Sequence, residues 1–193
     1  MSFIAVAKAV RAELGQEARY AHVVRVARLA DRLAARHGQD PAKARLAGML
    51  HDLARLYPGS RLVEESERRG LRIDAFERAH PIVLHARLGA ELARERFGVD
   101  DPDVLSAIAL HTLAGPAMSP LAEIVFIADS TEPGRQYPSR ASLEALAFRN
   151  LDAAMIGVIE ASIDHLKTIA ATVAPQTLAA LAVYRERSPA CPT

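Results

Sequence analysis

Apolar residues recur every three to four positions along almost the whole of this chain, and no segment alternates β-branched with polar residues. A sequence patterned this way must bury helix stripes, so the expected fold is all-α, a compact multi-helix bundle. Punctuation such as Gly38 and the Asp40-Pro41, His80-Pro81 and Asp101-Pro102 steps divides the pattern. The expected helices run roughly over 2–14, 17–37, 41–55, 60–69, 82–97, 101–111, 119–130, 141–148, 151–173 and 176–187. No repeat and no long Gly/Ser/Pro linker interrupts the 193 residues, which predicts one domain over 1–187 and a short flexible tail over 188–193.

The exceptions to the apolar stripes are few and ionisable. His22 shares a face with Val26, Leu29, Ala30 and Leu33; His85 with Ile82, Leu88, Gly89 and Leu92; His111 with Val104, Ala107 and Ile108. Asp129 follows the same rule with Leu121, Val125 and Ala128, and His51 with Ala47, Leu50 and Ala54, while Asp52 stands about 100° further round its helix. A buried carboxylate or imidazole is costly unless it is hydrogen-bonded, paired or bound to metal. Five helices each delivering such a group to the core therefore predict a shared metal site. Gly48, one turn before Asp52, either lets the ion or another group approach or packs two helices together. Four histidines and two aspartates exceed one tetrahedral ion and suit two ions bridged by Asp52, still open to water. The only cysteine, Cys191, excludes a thiolate cage, so the donors are imidazole and carboxylate; these fit iron, manganese or zinc better than calcium.

Two neighbouring cations favour phosphoester or phosphoanhydride hydrolysis, and anion-binding residues should lie nearby. Arg55 is on the His51-Asp52 side of its helix, Arg19 is one turn before His22, and Glu132, Arg135 and Tyr137 occupy the irregular stretch after Asp129. His80, held out of helical geometry by Pro81, stands at the entry to the His85 helix as a further substrate candidate. Arg25, Arg28, Arg32 and Arg36 form a stripe of their own and read as solvated surface, His37 as a helix cap, and His165 as surface. The chain has 24 basic and 23 acidic residues, hence no global field for nucleic acid, and no apolar run long enough for a bilayer. A soluble, cytoplasmic protein is expected, and the amphipathic helices at 2–14 and 151–173 could either form a homodimer contact or close the core.

The ordered set H…HD…H…H…D, with the strings LAGMLHDLAR, SAIALHT and IVFIADSTEPGRQYP, resembles the HD-domain metal phosphohydrolase superfamily, and within it the YqeK-like group of symmetrical diadenosine tetraphosphate hydrolases. The resemblance covers roughly residues 16–185. It implies an HD-type helical bundle that hydrolyses diadenosine tetraphosphate to two ADP at a two-metal, iron-favouring centre. It places His22, His51, Asp52, His85, His111 and Asp129 as ligands, with Asp52, His111 and Arg135 expected to carry the chemistry. The family's lysine after the HD pair is Arg55 here, and the segment from Leu113 and Ala114 onward stands where the family has a second threonine followed by a glycine and an arginine, which removes polar groups near the site. The alternatives are an HD phosphohydrolase acting on a mononucleotide or alarmone, and a nucleotide-binding HD protein with weakened turnover.

Overall fold

The computed structural model describes residues 2–187 and contains eleven α-helices and no strand among them. They are α1 (Phe3–Leu14), α2 (Glu17–Arg36), α3 (Pro41–Leu50), α4 (Gly59–Arg68), α5 (Ala75–Ala79), α6 (Leu84–Phe97), α7 (Pro102–Leu110), α8 (Pro120–Thr131), α9 (Arg140–Ala147), α10 (Leu151–Thr168) and α11 (Pro175–Arg187); a 3-10 turn, Pro81–Val83, precedes α6. The expected tail 188–193, with Cys191, lies outside the described residues. No helix among the described residues is long and apolar enough to cross a membrane.

Three helices start by the same device. Asp40, Asp101 and Ser119 each accept from backbone amides of the first turn and are followed by proline, whose missing N–H costs nothing there. Helix α2 forms the spine, with Val23, Val26, Leu29, Ala30 and Leu33 buried where it runs along α3 and α8. Gly48 permits that approach. A β-carbon at Gly48 would lie 2.9 Å from Cα and 3.1 Å from the amide nitrogen of Ala27, backbone atoms that have no room to yield. Of its two sequence-based roles, helix packing is the one the structure supports. Helix α7 lies between α6 and α8, while α9, α10 and α11 brace the far side of α8.

Three expectations about the helices need correction. Helix α3 stops at Leu50 instead of continuing to 55, because His51 to Tyr57 close i to i−3 turns: Leu53 N–H to Leu50 O, Arg55 N–H to Asp52 O and Tyr57 N–H to Ala54 O. Helix α10 ends at Thr168 instead of 173. Ala170 adopts the left-handed conformation at φ 52°, and the amides of Ala170 and Ala171 close onto the carbonyls of Lys167 and Leu166, a Schellman cap built without glycine. Helix α5 was not expected, although Asp74 and Glu77 form a reciprocal capping box that the string DAFE carries.

Candidate metal centre

Four histidines converge from α2, the turn after α3, the first turn of α6 and the turn after α7, and each is aimed by what its Nδ1 touches. His51 Nδ1 meets Gly48 O at 2.8 Å, His85 Nδ1 meets Ile82 O at 2.5 Å, and His111 Nδ1 meets Ile108 O at 2.7 Å. The spacing is the same in all three, a carbonyl three residues back. For His51 and His111 that carbonyl belongs to the last turn of a helix, where carbonyls lack an amide partner. A carbonyl only accepts, so Nδ1 carries the proton and Nε2 presents its lone pair inward. His22 differs in that its Nδ1 lies 3.0 Å from the carboxylate of Glu132.

The inward atoms gather around Asp52. Its Oδ2 is 3.6 Å from His22 Nε2 and 3.5 Å from His51 Nε2; these two nitrogens are also 3.0 and 3.7 Å from Asp129 Oδ1. Asp52 Oδ1 instead faces His85 Nε2 at 3.5 Å and His111 Nε2 at 3.9 Å. One carboxylate thus turns one oxygen to each pair of histidines. Metal bonds of about 2.1 Å set neighbouring ligands roughly 3.0–3.4 Å apart in tetrahedral or octahedral geometry, so these separations lie at or up to about 0.5 Å beyond the edges of coordination shells. His22 Nε2 and His51 Nε2 are buried without a hydrogen-bond partner among the described residues. His85 and His111 bring two Nε2 lone pairs within 3.0 Å of each other, which only a cation or a shared proton makes favourable. The donor set therefore fits metal, and two groups, His22 with His51 and Asp129, and His51 with Asp52 and His111, hold their ligating atoms within 4.8 Å of one another.

The electrostatics agree. Burial is the strongest influence on His85 and His111 and lowers both, and the neighbouring imidazoles help take His111 down to about 3, which leaves these rings neutral. Burial also opposes a charge on His51, yet Asp52 and Asp129 outweigh it and raise its pKa to about 9, so the pocket demands positive charge. Burial alone would raise Asp52 and Asp129. The charge of His51 on the first, and the nearby His22, His51 and Arg135 on the second, hold both well below the usual carboxylate range. The C-terminal ends of α3 and α7 add their partial negative charge, which would favour a cation in the cluster.

At the rim, Arg19 Nη1 reaches Asp52 Oδ2 at 2.9 Å, and Arg135 spans Asp129 with Nη2 to Oδ1 at 2.5 Å and Nε to the backbone carbonyl at 2.8 Å. Asp129 is the candidate carboxylate donor more open to solvent, its side chain 16% exposed against 4% for Asp52, so the mouth lies beside these two arginines. Arg55 is half-buried and close enough for its charge to lower His85. Tyr137 donates to Ser130 O at 3.0 Å and ties its loop to α8.

At the rim, two residues expected to meet substrate have protein partners, and one arginine departs from its expected surface role. Glu132 is 1% exposed, with both oxygens engaged by Arg25, His22 and Gly134 N–H. Arg25 is not solvated surface; it pairs with Glu132 through Nε at 2.5 Å and Nη2 at 3.1 Å, and Arg32 in the same stripe lies over the Phe148 ring. His80 stands outside the ligand cluster, stacked on Phe76 with centroids 4.5 Å apart. His37 caps α2 as expected, and its ring also reaches Ala147 O at 2.7 Å. Sequence reasoning missed Thr112, whose Oγ1 lies 3.2 Å from His85 Nε2 and 3.1 Å from His111 Nε2; its adjacency to His111 was the available signal. The turn after it is gripped by α11, with Thr177 Oγ1 donating to Leu113 O at 2.9 Å and Gln176 to Ala114 O. Ala114 is left-handed at φ 58°, a conformation that glycine adopts without strain.

Comparison with known proteins gives a consistent picture. Residues 19–134 match the family model of the HD domain. The chain is 35% identical to the symmetrical bis(5'-nucleosyl)-tetraphosphatase of Halalkalibacterium halodurans, over 84% of this chain and 87% of that protein. It is 34% identical to the Bacillus subtilis protein of the same name, over 83% and 86%. A crystal structure of a Clostridium acetobutylicum HD superfamily hydrolase, described as involved in NAD metabolism, superposes with a TM-score of 0.92 at 32% identity, covering 97% of this chain and 98% of that one.

Proposed function

Because the chain belongs to the HD domain family, we propose that it is a metal-dependent hydrolase that splits diadenosine tetraphosphate symmetrically into two molecules of ADP. The observation that carries this reading is Asp52, one carboxylate turning an oxygen to each of two histidine pairs. The relatives named for the symmetrical reaction, similar over most of their length, supply the substrate. His22, His51, Asp52 and Asp129 would hold one cation and Asp52, His85 and His111 the other. Imidazole and carboxylate donors without sulfur suit iron, with manganese or zinc as alternatives.

When bound, two cations supply Lewis acidity, activating water and offsetting charge on a phosphoryl group. The protein's own part is to fix the ligands before substrate arrives, with each Nδ1 donating outward so that no ring has to turn. Arg135 and Arg19 stand at the mouth with N–H donors beyond those spent on Asp129 and Asp52, and planar guanidinium groups match phosphate oxygens. They would orient the polyphosphate so that an inner phosphorus faces the centre, with Arg135 holding the charge that develops during cleavage. Arg55, on the His85 side, would take a second phosphate. His111, whose pKa burial lowers to about 3, is neutral near pH 7 with its Nε2 lone pair available to a cation.

The test is direct: metal-loaded protein incubated with diadenosine tetraphosphate should release ADP alone, and release of ATP with AMP would exclude the symmetrical reaction. A panel including mononucleotides and guanosine alarmones separates this substrate from those of other HD hydrolases.

A further inference from the structure

Three of the four inward-facing histidines are steadied by neutral backbone carbonyls; His22 alone has an anion behind it. That anion is itself held firmly. Glu132 accepts from Arg25 Nε at 2.5 Å, from Arg25 Nη2 at 3.1 Å and from Gly134 N–H at 2.5 Å. The two-point pairing with the always-charged guanidinium of Arg25 marks it as a carboxylate anion. The chain also makes room for this clamp. A β-carbon at residue 134 would fall within 2.7 Å of the Arg25 guanidinium, so a larger residue there would push that group away from Glu132.

We propose that Arg25 and Glu132 are positioning residues that act through Nδ1 of His22 to make the subsite of His22, His51 and Asp129 bind its cation more tightly than the subsite of His85 and His111. A carboxylate behind an imidazole fixes the ring and strengthens the donor on its far side, whereas a carbonyl fixes the ring and adds less basicity. Neither residue can reach the ion, because Glu132 has both oxygens engaged and Arg25 lies behind it. The centre is therefore unequal by construction, with one cation retained and the other more readily exchanged. This inference rests on the metal-dependent reading of the site and adds the order of affinity within it.

The experiment titrates the whole chain, stripped of metal, with Mn2+ and follows free Mn2+ by electron paramagnetic resonance, with no substrate present. The wild type should show two affinities. In Glu132→Gln, which keeps the shape and removes the charge, the tighter one should weaken about 10- to 100-fold while the weaker stays unchanged. Arg25→Gln should act in the same direction, and Arg25→Lys should recover part of the loss. Arg140→Gln is the control, since Arg140 braces the same stretch through Thr131 O and Glu144 without touching the clamp; it should leave both affinities alone. Should Glu132→Gln not fold, the two Arg25 variants make the same comparison. A single affinity in the wild type, equal weakening of both, no change in the tighter one, or the same effect from Arg140→Gln would overturn the proposal. Since metal affinity is read without turnover, this result and the products from diadenosine tetraphosphate can fail independently.

Discussion

The two flanks of the candidate metal centre both present imidazoles to Asp52 but are secured by different means. On the His22 flank, charges hold one another: Glu132 behind the ring, Arg25 behind Glu132, Arg135 on Asp129 and Arg19 on Asp52. On the His85 and His111 flank the backbone does the holding, through carbonyls three residues back, with Thr112 beside both rings. A flank held by side chains can be tuned one residue at a time and stays close to solvent and substrate. A flank held by backbone changes only when the helix ends themselves move.

Asp52 belongs to both flanks, so its loss should have the largest effect. Asp52→Ala is expected to reduce bound metal at both subsites and turnover by on the order of 10³-fold or more, given the several kcal/mol that Lewis acidity contributes, with the helical circular dichroism unchanged. Full metal content in this variant would remove the distinction between the flanks at its root. Next comes Arg135→Ala, confined to the charged flank: kcat should fall roughly 10²- to 10³-fold while metal content stays, as for loss of one preorganised donor. Equal loss of metal would make Arg135 part of the ligand support instead.

His51, the one ring of the His22 subsite that a backbone carbonyl holds, is probed through the backbone. Gly48→Ala pushes a β-carbon against Ala27 and displaces the carbonyl that orients His51, so chemical denaturation should show a loss of about 1–3 kcal/mol. The smallest effects concern the left-handed alanines. Ala170→Gly, exposed at the end of α10, should stabilise by about 1 kcal/mol, because a β-carbon is strained in that conformation. Ala114→Gly relieves the same strain beside His111 but also removes a buried methyl of roughly 0.8 kcal/mol, so denaturation should find it close to neutral. A large gain at Ala114 would mean that the turn after His111 is more strained than its partners on α11 suggest.

What was legible in the sequence follows the same division. His22 and Asp129 sit within α2 and α8, where a stripe of period 3.6 continues on either side, so their inward direction could be read from spacing alone. His51 was placed on the right face but in the wrong local structure: Leu53 and Ala54 keep the apolar stripe going past Leu50, and periodicity does not distinguish i−4 from i−3 bonding. Arg25 was misread because its partner Glu132 lies 107 residues away, and a stripe of four arginines looks the same whether solvated or paired. Helix α5 was overlooked because five residues carry no period, although its capping box was written in the chain. The resemblance carried the substrate, which spacing does not encode.

Crystals grown with Mn2+ and measured at the manganese absorption edge would test the central claim most directly. Two anomalous peaks about 3.5–4 Å apart, one beside each oxygen of Asp52, are the predicted result, with the peak near His22 and Asp129 the more fully occupied. A single peak, or a pair that leaves Asp52 uncoordinated, would contradict a centre bridged by that residue.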